Sequence, residues 1–176
     1  MSTIRANGLV HDYEECGAGA ALVFIHGAFA DARMWDPQWQ PFSSRFRLLR
    51  YDLRGHGRTG PSTLEAYSMA AYADDLAALI AALDMDAPVI CGLSWGGSIA
   101  QAFAARFPAL PRALVLAGSM AAIDLTLLDK FLCRLLFPHW AMSLAIRLLN
   151  VDRLTRFSFR LARITMGKQM LSWGSQ

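Results

Sequence analysis

The sequence predicts an α/β protein built on a doubly wound, mostly parallel sheet. Three observations predict it. Short runs that are apolar at nearly every position recur at Ala21–Ile25, Leu48–Tyr51, Val89–Leu93 and Ala113–Ala117. Strands buried on both faces of a parallel sheet read this way, whereas half-exposed strands alternate. Segments with a helical period separate the runs, and strand–helix alternation calls for helices on both faces of one sheet.

The elements follow in order. Thr3–Ala6 and Leu9–Tyr13 flank Asn7-Gly8, a dipeptide suited to a two-residue hairpin turn. The Ala21–Ile25 run ends at His26-Gly27, and Leu48–Tyr51 ends at Asp52. Between Ser68 and Leu83, apolar residues fall at Tyr72, Leu76, Leu79, Ile80 and Leu83, a helical spacing. Asp74 and Asp75 sit early in that helix, where carboxylates oppose the macrodipole. Val89–Leu93 leads into Gly92-Leu93-Ser94-Trp95-Gly96, and a helix from Trp95 to Phe107 stops before Pro108. After Ala117 the alternation ends. Leu125 to Met166 reads as helices only, broken near Pro138 and Asn150. Arg153, Arg156, Arg160 and Arg163 share one face there; Leu154, Phe157, Leu161 and Ile164 share another.

Composition narrows the function classes. At 176 residues the chain is one domain or part of one, and its apolar fraction of 55% is high. The polar N-terminus lacks the apolar stretch of a signal peptide. The longest apolar region, Leu125 to Leu149, is interrupted by Asp129, Lys130, Arg134 and Arg147, so no transmembrane helix is expected. Cys16, Cys91 and Cys133 show no metal-type spacing and suit a reducing cytoplasm. From Lys130 onward there are 8 Lys/Arg against 1 acid, and before it 9 against 13. The basic third reads as a solvated helix face; no nucleic acid and no stable membrane association is expected. Nothing calls for a cofactor or metal.

Gly92-Leu93-Ser94-Trp95-Gly96 is a G-x-S-x-G string with a strand before it and a helix after it, the context of a nucleophile elbow. A serine hydroxyl must project from a sharp turn to reach a substrate, and small neighbours relieve the crowding. A helix N-terminus also aims N–H groups at developing negative charge, which makes the Trp95 N–H a candidate oxyanion-hole donor. The second donor belongs on a loop after an earlier strand. His26-Gly27-Ala28-Phe29 ends such a strand, and the Ala28 N–H is the second candidate. His26 is expected to orient that loop by hydrogen bonding. Phe29 and Trp95 are expected to line an apolar substrate pocket. Asp52 and Arg54 are expected to form a structural ion pair or turn.

Four motifs in order carry a resemblance to a family. They are His26-Gly27-Ala28-Phe29 with Arg33-Met34-Trp35-Asp36-Pro37-Gln38, then Tyr51-Asp52-Leu53-Arg54-Gly55-His56-Gly57-Arg58-Thr59-Gly60, then Ala73-Asp74-Asp75-Leu76, then the elbow. The chain resembles the N-terminal part of an α/β-hydrolase fold protein. Residues 1–120 are similar to the core and 121–176 to the start of the helical cap, or lid. Within the family it resembles the branch of 3-oxoadipate enol-lactonases, small-ester hydrolases and C–C bond hydrolases. Trp95 departs from the methionine usual in the lactonases, and the His-Gly start departs from them as well. The resemblance implies Ser94 as nucleophile, Ala28 and Trp95 N–H groups as the oxyanion hole, and a small-molecule acyl substrate.

The family's order is Ser, acid, His. One strand run, Ala113–Ala117, follows Ser94, and beyond it lie Asp124 and a single histidine, His139, inside the expected lid. The expectation is therefore a serine esterase or lactonase missing its C-terminal strands and lacking the triad acid and base. The alternative is a non-catalytic fragment or binding module.

Overall fold

The computed structural model describes residues 2–62 and 67–120. The expected cap (121–176), with Asp124, Cys133, His139 and the basic amphipathic segment, lies outside the described residues. Strands β1 (Ser2–Ala6) and β2 (Leu9–Cys16) form an antiparallel hairpin in register Ala6↔Leu9. Its turn residues Asn7 and Gly8 both have positive φ, +46° and +74°, as a type I′ turn requires. Strands β3 (Ala20–Ile25), β4 (Phe46–Tyr51), β5 (Val89–Leu93) and β6 (Ala113–Ala117) occupy the four apolar runs. The sheet order is β1-β2-β4-β3-β5-β6. The pairs β3–β4, β3–β5 and β5–β6 are parallel, and the hairpin joins antiparallel through β2–β4.

Helix α1 (Asp36–Ser43) follows a 3₁₀ turn at Ala32–Trp35; α2 (Met69–Ala82) precedes β5 and α3 (Trp95–Arg106) follows it. Ser68 caps α2 by accepting from the Ala71 N–H at 3.1 Å. Successive strand residues point to opposite faces, and the core divides accordingly. Val23, Ile25, Leu49, Tyr51 and Ile90 pack with α2 and α3 side chains such as Leu76, Leu79, Ile99 and Phe103. Leu22, Phe24, Leu48 and Cys91 pack on the other face with Trp35. Phe24 stacks on the Trp35 ring at 4.7 Å. Among the described residues β1 and β6 are the two edge strands, and Val115 and Leu116 of β6 are exposed. No described helix is long and apolar enough to cross a membrane.

The topology fixes where a ligand would sit. The chain leaves β3 for β4 on one side, then crosses back to β5 on the other. The carboxyl ends of β3 and β5 therefore flank a topological switch point, where open α/β sheets bind their ligands. Ile25 pairs with Gly92, so Gly27 and Ser94 leave the sheet side by side.

Candidate active site

Ser94 stands between β5 and α3 with φ +53° and ψ −115°, outside regular helix and exposed to solvent. A non-glycine residue in that region stores on the order of 1–3 kcal/mol of strain. The surroundings hold it there. Its N–H donates to Ala117 O at 2.8 Å, and its carbonyl accepts from Gly97 N at 2.9 Å and the Ser119 hydroxyl at 3.1 Å. The glycines around it have steric causes. A Cβ on Gly92 would meet the Gly96 carbonyl, one on Gly96 would meet the Ile25 and His26 carbonyls, and one on Gly97 would meet the Ser119 hydroxyl. Backbone cannot give way as a flexible side chain can. Gly96→Ala is expected to destabilise by about 1–3 kcal/mol, read as a lower urea midpoint at unchanged slope; an unchanged midpoint would refute the steric account.

The loop after β3 faces the elbow. A Cβ on Gly27 would lie 3.7 Å from the Ser94 Cβ. Beyond it, Ala28 and Phe29 are exposed, Phe29 at 79% and with φ +59°. Both loops thus carry a strained non-glycine residue. Among the described residues, no group accepts from the N–H of Ala28 or Trp95, and none hydrogen-bonds the Ser94 hydroxyl. The Trp95 N–H is an orphan of the α3 N-terminus. The Trp95 ring is partly exposed and meets Tyr72 edge-on at 6.2 Å.

His26 is fully buried with both ring nitrogens engaged. Nε2 accepts from Leu53 N at 3.0 Å, and Nδ1 lies 2.8 Å from the Gly27 carbonyl. Burial, the largest cause, holds its pKa below the ordinary imidazole value, outweighing the Gly27 hydrogen bond. His11 is buried too, and its pKa is lowered chiefly by burial, against the pull of the Asp75 carboxylate. A histidine whose folded pKa lies below its unfolded value contributes stability that is fully present above the unfolded pKa. That stability is lost as pH falls through the folded one. Urea stability is therefore expected to fall as pH drops below about 6.5, with less loss in a His11→Leu variant; a flat profile between pH 7.5 and 5.5 would contradict it.

The polar residues of the loop after β4 are scaffolding: Asp52 holds the turn and Arg54 makes a structural ion pair. Asp52 does not pair with Arg54. Its carboxylate accepts from Ala32 N and Arg58 N, both at 2.8 Å, clasping the loops after β3 and β4 together. Arg54 instead forms a buried bidentate pair with Asp75, with Nε–Oδ2 and Nη2–Oδ1 both 2.6 Å. Asn7 also donates to Asp75 at 2.8 Å. This corrects the macrodipole reading of Asp74 and Asp75. Helix α2 starts at Met69, so both lie beyond its first turn. Asp75 points inward, while Asp74 meets Arg106 at the surface.

Two residues escaped the sequence reading. The Ser119 hydroxyl donates toward the Ser94 carbonyl, and the Gln101 amide donates to Gly97 O and Met120 O at 3.3 Å. Together they tie the segment after β6 to the elbow. Neither stands in a motif. Among the described residues no cluster of His, Cys, Asp or Glu could hold a metal ion.

Comparison with known proteins agrees with this geometry. A family profile described as the alpha/beta hydrolase fold matches residues 20–172. The chain is 32% identical over 121 residues to 2-(acetamidomethylene)succinate hydrolase of Mesorhizobium japonicum, covering 68% of this chain and 43% of that one. A thermophilic esterase from Thermogutta terrifontis superposes with a TM-score of 0.67 at 30% identity, over 70% of this chain and 48% of the esterase. Est816, described as an N-acyl homoserine lactone degrading enzyme, superposes with a TM-score of 0.61 at 31% identity, over 67% of this chain and 45% of that one. The chain spans less than half the length of these relatives. The profile match, the sheet order and the strained turn between β5 and α3 lead to one assignment: the chain belongs to the α/β-hydrolase fold family.

Proposed function

We propose that the protein is a hydrolase in which Ser94 attacks the carbonyl carbon of an ester, lactone or related acyl substrate. The observation that carries this reading is the exposed, strained Ser94 at the switch point, facing a loop whose Ala28 N–H has no acceptor among the described residues. As the serine oxygen bonds to carbon, its proton leaves to a base and the carbonyl electron pair moves onto oxygen. The Ala28 and Trp95 N–H groups receive that oxyanion. The tetrahedral adduct then collapses, the C–O bond to the leaving oxygen breaks and the base returns its proton to that oxygen as alcohol; water then releases the acyl group from Ser94 by the same steps. Phe29 and Trp95 give the substrate an apolar surface. The esterase and lactone-degrading relatives support this substrate class.

The base is not His26, whose ring nitrogens are both engaged, nor the buried His11. His56 packs on His26 at 5.3 Å, with Nδ1 against the Arg54 carbonyl. In this reading residues 1–120 belong to the hydrolase core and residues 121–176 to its cap. Cys16 and Cys91 are free, in keeping with a cytoplasmic protein. A second reading, a binding module without turnover, is favoured by the missing hydrogen bond to the Ser94 hydroxyl among the described residues. A fluorophosphonate probe separates them. Rapid stoichiometric modification found at Ser94 by peptide mass supports the hydrolase. No modification above that of denatured protein supports the binding module.

A further inference from the structure

We propose that His26 is a positioning residue that aims the Ala28 N–H by gripping the other end of the same peptide unit. The catalytic consequence rests on the hydrolase reading; the structural claim does not. The Gly27 carbonyl and the Ala28 N–H belong to one planar trans peptide and point in opposite directions. Whatever fixes the carbonyl therefore fixes the amide hydrogen. Gly27 O lies 2.8 Å from His26 Nδ1. Leu53 N–H, which can only donate, reaches Nε2 at 3.0 Å. Nε2 must then hold the lone pair, and the neutral ring carries its proton on Nδ1, directed at Gly27 O. Among the described residues no other hydrogen bond holds this peptide. The peptide before it is held through the Gly27 N–H, which meets the Met34 sulfur at 3.3 Å, and Ala28 and Phe29 beyond it are exposed.

The grip extends into the core. Leu53 is buried and precedes Arg54, which Asp75 anchors to α2. The ionisable groups facing the His26 ring are His56 and Asp52 from the end of β4 and its loop, and Asp31 from the loop after β3. Protonation would place a second donor, Nε2–H, against the Leu53 N–H. Burial keeps the ring neutral at pH 7, so the clamp is closed there and opens on acidification.

Two variants and one titration test this. His26→Asn keeps a donor near the Nδ1 position, whereas His26→Phe keeps neither bond. In ¹⁵N-labelled protein, wild-type His26 is expected to show the Nδ1–H tautomer, and the Ala28 amide resonance is expected to shift with the same acid midpoint as the ring. In His26→Phe the Ala28 amide shifts at pH 7. Its kcat on p-nitrophenyl acetate falls about 10- to 100-fold, with KM within about two-fold. His26→Asn retains kcat within about five-fold of wild type. An Nε2–H tautomer, or an Ala28 amide indifferent to ring protonation, overturns the proposal even if His26→Phe does not fold. Turnover that survives Ser94→Ala overturns the hydrolase reading instead and leaves the amide result standing.

Discussion

Ser94→Ala is expected to lower hydrolysis of a short activated ester by on the order of 10⁴-fold or more while leaving the fold intact. The size follows from what is removed. The hydroxyl oxygen is the only protein atom that bonds covalently to the substrate in the proposed reaction, and the other described candidates are poorly placed to replace it. Ser98 lies one helical turn further along α3, Ser119 is spent on the Ser94 and Ala117 carbonyls, and Cys91 is buried in β5 with its thiol pKa pushed up by burial. Transition-state stabilisation by the N–H groups alone would leave a small residue of activity over water. The stability control matters here. The Ser94 side chain makes no hydrogen bond among the described residues, and alanine at φ +53° carries the same backbone strain. The urea midpoint should therefore stay within about 0.5 kcal/mol of wild type. Initial rates on p-nitrophenyl acetate, taken beside a circular-dichroism melt, check both halves. Comparable rates for the two proteins would remove Ser94 from the mechanism.

The strands and the elbow were legible because their signals are local. Each apolar run became a strand within a residue or two at either end; β3, β4 and β5 are buried as such runs predict, whereas Val115 and Leu116 of β6 are exposed. Asn7-Gly8 announced its turn through the rarity of positive φ. Helix α1 was not legible. Pro37 and Pro41 punctuate eight residues with no buried stripe, and its position depends on Trp35 and on Arg50, whose guanidinium lies over the Trp39 ring at 4.4 Å. The network behind the site was illegible for a different reason. His26 is held by a backbone N–H 27 residues away, and Asp52 by backbone donors 20 and 6 residues away. Backbone partners leave no trace in residue identity. Asp75 did leave one. It shares a helical stripe with Tyr72, Leu76 and Leu79, and a carboxylate on a buried stripe demands a cation.

That demand sets the second large effect: Asp75→Ala is expected to cost about 3–5 kcal/mol, the range for removing one partner of a buried ion pair. Arg54 and Asp75 are 5% and 1% exposed, so water cannot take over the two charge-assisted bonds that Arg54 loses. The same carboxylate accepts from Asn7 in the hairpin turn and lies 3.8 Å from the buried His11 ring. One truncation thus unfastens the β1–β2 hairpin, α2 and the loop after β4 together. The alternative is that the pair is decorative and packing alone holds these elements. A paired replacement discriminates, because Arg54→Met with Asp75→Leu removes both charges and restores apolar volume. The double variant is expected to recover most of the stability that Asp75→Ala loses. Urea midpoints for the two variants and wild type decide the matter. Should Asp75→Ala unfold within about 1 kcal/mol of wild type, the charge would be solvated in solution. The fixed position of the Leu53–Arg54 segment, and with it the orientation of His26, would then need another source.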